Sequence, residues 1–484
     1  MNNNLKTGFI DRDNQDNYLR PQYHFTSPKG WINDPNGLIY YKGWYHLFYQ
    51  FNPDHLEWAE MHWGHAVSEN LLEWHDLPIA LYPDKEYDHD PAGGCFSGSA
   101  FEYDGKMFLI YTGSVIKDGT LRQTQNIAFS EDGVHFQKYD GNPVISEPIQ
   151  GANANFRDPK VFKHEDHLYL VAGGTFGNND RDGEGCVYLY QSDDPYHWKY
   201  VSTLIGPNRK IGTMLECPDL FPLGDKWVLT TSPIYNKNFN ECLYFVGTLD
   251  FSTGKYNIEN EGRLDLGGYY YAPQSFLGAE GQRLQIAWLN TWQWMPWFND
   301  WGPTQEENWR GVMSLPHELS LDENNCLVSA PISISAIEKE DQYFDNVDLT
   351  SEPFYLSPSN PYSYELSFIA DKKTCPSRTI EIGIFGAGST HTKISLDLLT
   401  NKVLLDLRDS RDVLGSGISC ADIPDGDVIK IRLQVDHCAA EICFNEKTHL
   451  CFNIYPKAEQ KELWLRTPYQ KARIEKLTLY SSKE

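Results

Sequence analysis

Asp34 stands in WINDPNG, Asp158 in NFRDPK and Glu216 in LECPDLF, three carboxylates each set beside a proline-bearing turn and far apart in the chain. Asn, Asp, Pro and Gly build tight turns without any chemistry, so one such motif alone reads as a turn. If all three meet in one pocket, their mutual repulsion raises the pKa of at least one. A protonated acid then stands beside an ionised base or nucleophile, the arrangement that glycoside cleavage requires.

Whether they meet depends on the elements that carry them. KGWYHLFYQFN, DGKMFLIYTGS, EDHLYLVAGGTF, GDKWVLTTSP and GQRLQIAWLNTW each join a polar turn to an aromatic and aliphatic strand. Trp44, Met107, His167, Trp227 and Arg283, taken as equivalent points, are separated by 63, 60, 60 and 56 residues. A second series keeps step: SENLLEWHDLPIAL, SEDGVHFQKYDGNPVI, SDDPYHWKYVSTLI and the weaker TLDFSTGKYNIE, each a turn leading to an outer strand. A unit of four short strands repeated five times predicts a β-propeller over roughly 20–335, a large sandwich with coincidental spacing being the alternative.

From Asp345 the pattern becomes simple alternation, as in YSYELSFIAD and VIKIRLQVD, which predicts a β-sandwich. The expected chain is therefore all-β: a five-bladed β-propeller over 1–335 with an N-terminal extension, a polar linker over 336–344, and a C-terminal β-sandwich over 345–484. In a propeller the residues just before each repeated turn converge at one mouth. Asp34, Ser97, Asp158, Glu216 and Tyr271 lie 10, 10, 9, 11 and 12 residues before their reference points, so the three acids occupy equivalent slots. Asn33 and Arg157 adjoin two of them, Gln50 and Trp58 follow the first inner strand, and Trp288 and Trp292 lie in or after the fifth. They offer hydrogen-bonding forks and stacking planes for a sugar, although for each Trp taken singly ordinary core packing is the better reading.

Composition agrees with a neutral partner. The 484 residues carry 41 Lys and Arg against 67 Asp and Glu, a formal charge of −26 that repels nucleic acid and anionic lipid. The N-terminal stretch lacks an apolar signal core and no apolar run approaches a membrane span, so a cytoplasmic protein is expected. Ten cysteines without a CxxC pair read as reduced thiols, and the HWGH histidines, His62 and His65, as structural residues without a third ligand cluster. No nucleotide, flavin or metal motif is visible, so no cofactor and no metal are expected.

WINDPNG, CFSGSA, FRDPK and ECPDLF, in this order, resemble the motifs of glycoside hydrolase family 32, the invertases and other β-fructosidases. The resemblance spans essentially the whole chain and implies a five-bladed propeller with a C-terminal sandwich. It implies that Asp34 is the nucleophile forming a covalent fructosyl-enzyme, that Glu216 is the acid and then the base of a retaining reaction, and that Asp158 hydrogen-bonds fructose hydroxyls. It places the fructose pocket on Asn33, Gln50, Trp58, Phe96, Ser97 and Arg157, with Tyr271 and Trp292 as further members. It also exposes two departures: Ala59 and Glu60 where Gly and a neutral residue are usual, near the leaving-group mouth, and His317 where arginine is usual, a change expected to affect packing.

The expected activity is hydrolysis of terminal β-D-fructosyl linkages in sucrose and short fructo-oligosaccharides, with sucrose 6-phosphate admissible. Alternatives are a fructosyltransferase on the same scaffold, a five-bladed glycosidase acting on arabinose or xylose, and a non-catalytic carbohydrate-binding propeller. The C-terminal sandwich braces the propeller or supports a homo-oligomer, with a monomer equally open.

Overall fold

The repeated polar turns are the hairpins that start each sheet. Lys42-Gly43 and Asp104-Gly105 all take positive φ (49°, 93°, 48° and 73°), the geometry of a two-residue turn whose twist matches the flanking strands. In the computed structural model, which describes residues 5–10, 18–177, 182–234, 241–290, 292, 302–336, 338–409 and 417–481, each hairpin joins the first and second strands of a sheet.

The second repeated series forms the turn from third to fourth strand. Ser68, Ser130 and Ser192 each end a third strand, and the Asn or Asp two residues on caps the turn: Asn70 Oδ1 accepts from Leu72 and Glu73, Asp132 Oδ1 from Val134 and His135, Asp194 Oδ1 from Tyr196 and His197. Among the described residues the first 331 positions form five sheets of consecutive strands, one of them extended to five strands by Trp309–Arg310.

The first strands of these sheets are Gly30–Tyr41, Gly94–Tyr103, Ala152–His164, Met214–Leu223 and Tyr271–Leu277. Each touches the next, and the fifth touches the first, so they surround a common axis. The excursion between the second and third strands of the fifth sheet returns Trp309 and Arg310 to pair in parallel with Gly30 and Trp31, tying fifth sheet to first. The fully buried Trp31, Trp288 and Trp309 fill that junction.

All five first strands lose pairing register at the same level. The break skips Asn33 and Asp34 in the first, Ser97 in the second, Asp158 and Pro159 in the third, Cys217 and Pro218 in the fourth, and Ala272 and Pro273 in the fifth. Proline cannot donate to a ladder, and Asp158, Cys217 and Ala272 adopt φ of 62°, 46° and 52°, so backbone strain is concentrated there.

The remaining chain forms two six-stranded sheets around one shared apolar core. The segment expected as a linker, 336–344, is mostly strand: Lys339–Leu349 pairs along its length with Ala472–Ser481. Its polar composition suits an edge strand whose side chains are largely solvent-facing, and the ladder partner that makes it a strand lies over a hundred residues away.

Candidate active site

The register breaks release side chains into one cavity of about 370 Å³, whose lining includes Asp34, Asp158 and Glu216. The acids come from the first, third and fourth sheets. Asp34 and Asp158 stand within the breaks, whereas Glu216 is the last paired residue before one, opposite Ser232, and Cys217 occupies the interrupted slot. The three are thus not strictly equivalent along their strands, a difference the varied spacings of 9 to 11 residues carry and strand periodicity does not explain.

Asp34 is held on both sides: Ser97 Oγ donates to Oδ2 at 2.6 Å and Asn33 Nδ2 to Oδ1 at 3.1 Å. Burial pushes its pKa up to about 6, helped by the charge of Glu216 and opposed by these hydrogen bonds and by Cys217. Asp158 Oδ2 accepts from the Cys217 backbone N–H at 2.9 Å, and its own N–H donates to Thr112 Oγ1. Burial raises Asp158 too; Arg157 opposes this, while the charges of Glu216 and Asp34 add to it. The Cys217 thiol bridges the pair, 3.5 Å from Asp34 Oδ2 and 3.6 Å from Asp158 Oδ2, and its burial holds it as a thiol.

Glu216 is gripped differently. Arg157 Nε and Nη2 donate to Oε1 at 3.0 and 2.8 Å, and the Tyr271 hydroxyl donates to Oε2 at 2.6 Å. Arg157 is aimed by Gln123 Oε1 and Asn155 Oδ1, which accept from Nη1 at 3.3 and 2.9 Å. A planar cation held by Gln123 and Asn155 presents its fork to one carboxylate oxygen of Glu216.

Of the expected pocket residues, Asn33, Gln50, Trp58, Phe96, Ser97, Arg157 and Trp292 line the cavity. Trp58 and Phe96 meet edge to face at 5.6 Å, and Trp292 lies parallel to Trp31 with ring centroids 6.4 Å apart. Tyr271 does not line it. The ring is buried behind Glu216 and acts through that carboxylate. Trp288 is a core residue, and Glu60 is absent from the lining, its N–H donating to the Pro91 carbonyl.

Gln123, Asn155, Thr112 and Cys217 were not singled out from sequence. Cys217 had a signal, its place beside Glu216 in ECPDLF, whereas Gln123 and Thr112 sit in strands of the second sheet with no local mark of function. The HWGH histidines part company: His62 meets the Glu60 carbonyl, and His65 pairs with His46 at 3.0 Å and stacks on Phe48. Three residues apart on a strand, they face opposite sides.

Comparison with known proteins bears on this geometry directly. The profile of the glycosyl hydrolases family 32 N-terminal domain matches residues 24–331. A sucrose-6-phosphate hydrolase of Zymomonas mobilis is 34% identical over 442 residues, covering 87% of this chain and 83% of the relative. A raffinose invertase of Escherichia coli is 31% identical over 481 residues, covering 95% and 94%. The solved structure of a Bombyx mori GH32 β-fructofuranosidase superposes with a TM-score of 0.79 at 31% identity, covering 96% of this chain and 94% of that one. The profile spans every residue of the acid cavity and the relatives extend across both parts of the chain, so the chain belongs to glycoside hydrolase family 32.

Proposed function

We propose that the chain is a retaining β-fructofuranosidase, a five-bladed β-propeller followed by a C-terminal β-sandwich, that removes terminal β-D-fructosyl units from sucrose and short fructo-oligosaccharides. The observation that carries this reading is the gathering of three carboxylates from three sheets in one cavity, each held by different partners. Asp34 attacks the anomeric carbon and forms the fructosyl-enzyme; its elevated pKa makes it a more basic nucleophile once ionised. Glu216 gives its proton to the leaving oxygen and later takes one from water. Asp158, buried and oriented by backbone, accepts hydrogen bonds from fructose hydroxyls and stabilises the positive charge that develops on the ring.

Arg157 and Tyr271 both donate to Glu216. These contacts fix the orientation of the Glu216 carboxyl. Sucrose 6-phosphate is an admissible substrate beside neutral sucrose, several relatives being sucrose-6-phosphate hydrolases. Ten free cysteines, most of them buried, support a reducing cytoplasmic setting.

The test compares Glu216→Ala on sucrose and on a fructoside with a good leaving group. The loss is expected to be about 10²- to 10⁴-fold on sucrose and much smaller on the activated substrate. Equal losses on both would remove Glu216 from the acid role, and product chains longer than the substrate would mark a transferase instead.

A further inference from the structure

His317 is fully buried where the fifth sheet packs on the C-terminal part of the chain. Its neighbours there are His449 and Cys451, both on the strand Thr448–Asn453 and both without exposure. One ligand atom from each of the three lies within 4.8 Å of the others. The two imidazoles meet edge to face with centroids 4.3 Å apart.

His449 Nδ1 faces the Ser329 carbonyl at 3.1 Å and so carries the ring hydrogen, which leaves a lone pair on Nε2. That nitrogen is buried without a hydrogen-bond partner. Asp265 Oδ2, also a lone-pair bearer, is 3.7 Å away. The Asp265 carboxylate is fixed by three backbone N–H groups, those of Gly267 and Gly268 on Oδ1 and of Cys451 on Oδ2. Two acceptors face each other in a dry site beside a thiol, an arrangement that a cation would satisfy.

We propose that His317, His449 and Cys451 form a structural zinc site joining the two parts of the molecule, with the Asp265 carboxylate, 3.7 Å from His449 Nε2, drawn in as the fourth ligand. Zinc bonds of about 2.0–2.3 Å set ligand atoms roughly 3.3–3.8 Å apart, so atoms now within 4.8 Å of one another draw together by about 1 Å to close the site. Two imidazoles and a thiolate select a borderline-soft ion over magnesium or calcium. The charge closes: the S–H bond of Cys451 breaks as the sulfur–zinc bond forms, its proton leaves to solvent, and the thiolate and carboxylate neutralise the dication. His317 ligates through Nδ1 while its Nε2–H stays on Glu441 Oε2 at 2.7 Å, and the Ser329 hydroxyl, now 3.0 Å from Nδ1, turns aside. The seal on the site means that metal enters as the two parts close during folding.

The experiment is the metal content of the untagged full chain, by plasma mass spectrometry after exhaustive dialysis, as purified and after refolding with zinc chloride or cobalt chloride. About one zinc per chain is expected, with a thiolate-to-cobalt absorption in the near ultraviolet for the cobalt form. Cys451→Ser removes that absorption, and Cys451→Ser or His449→Gln lowers bound zinc to below about a fifth of an equivalent, while Cys420→Ser, which removes an exposed thiol, leaves both unchanged. A wild-type chain that takes up under about a tenth of an equivalent with no cobalt–thiolate band overturns the proposal, as does full metal retention in both ligand variants. Should the variants fail to fold, the wild-type stoichiometry and cobalt spectrum decide alone.

Discussion

At the scale of residues, the cavity distributes charge by giving each acid a different set of donors. Asp34 has Ser97 and Asn33, Asp158 has a backbone N–H, the Cys217 thiol lies between these two, and Glu216 has a guanidinium fork and a phenol. A nucleophile must be ionised, so kcat/KM is expected to fall as pH drops through about 6, where Asp34 takes up a proton in the free enzyme. Ser97 donates to the anion and so favours it; Ser97→Ala is expected to move that acid limb upward, by about half a unit or more, in a pH profile of kcat/KM. An unmoved limb would assign it to a different group. Asp34→Asn is expected to abolish turnover of sucrose and of activated fructosides alike, checked by product mass, since no other residue replaces the attacking oxygen.

At the scale of elements, the site exists because five neighbouring strands break register together and still pack closely. Gly173 shows how closely. It pairs with Arg157, and a Cβ placed on it would sit 1.9 Å from the Leu215 carbonyl oxygen, one residue before Glu216. Since the obstruction is backbone, the fourth sheet's first strand has to move. Gly173→Ala is expected to cost about 1–3 kcal/mol in urea unfolding and to lower kcat/KM by about tenfold or more through displacement of Glu216. Loss of stability with unchanged kcat/KM in the folded fraction would show that the strand shifts without carrying the acid.

The whole molecule is tied together by buried charge as well as by apolar cores. Asp436, on a C-terminal strand, accepts the backbone N–H groups of Gln22, Tyr23 and His24, which fastens the segment leading into the first sheet. Glu441 accepts from Leu315 N and meets both His24 Nε2 and His317 Nε2. Glu441→Ala strips three buried donors of their acceptor, so a loss of about 3–5 kcal/mol is expected by urea unfolding, with little change in kcat/KM of the folded protein. A change under about 1 kcal/mol would mean that solvent replaces the carboxylate and that this contact does not brace the propeller.

The sequence by itself determined what depends on neighbours along the chain. Turn residues with positive φ, serine and Asx caps, and strand alternation are local, so the sixty-residue period, the all-β class and the change of pattern near Asp345 were legible, as were the motifs carrying the three acids. Tertiary structure decided whatever needed a partner from elsewhere. Arg157 turns to Glu216 because Gln123 from another sheet holds it there; Tyr271 retreats behind the acid because its strand breaks one residue later; 336–344 becomes strand because Ala472–Ser481 offers it a ladder. His317 meets His449 and Cys451 only because two parts of the chain, more than a hundred residues apart, bury a common surface. Desolvation belongs to that second class as well: a carboxyl's ordinary pKa follows from its chemistry, but burial and the charges crowded around it move it, and neither exists until the sheets have closed.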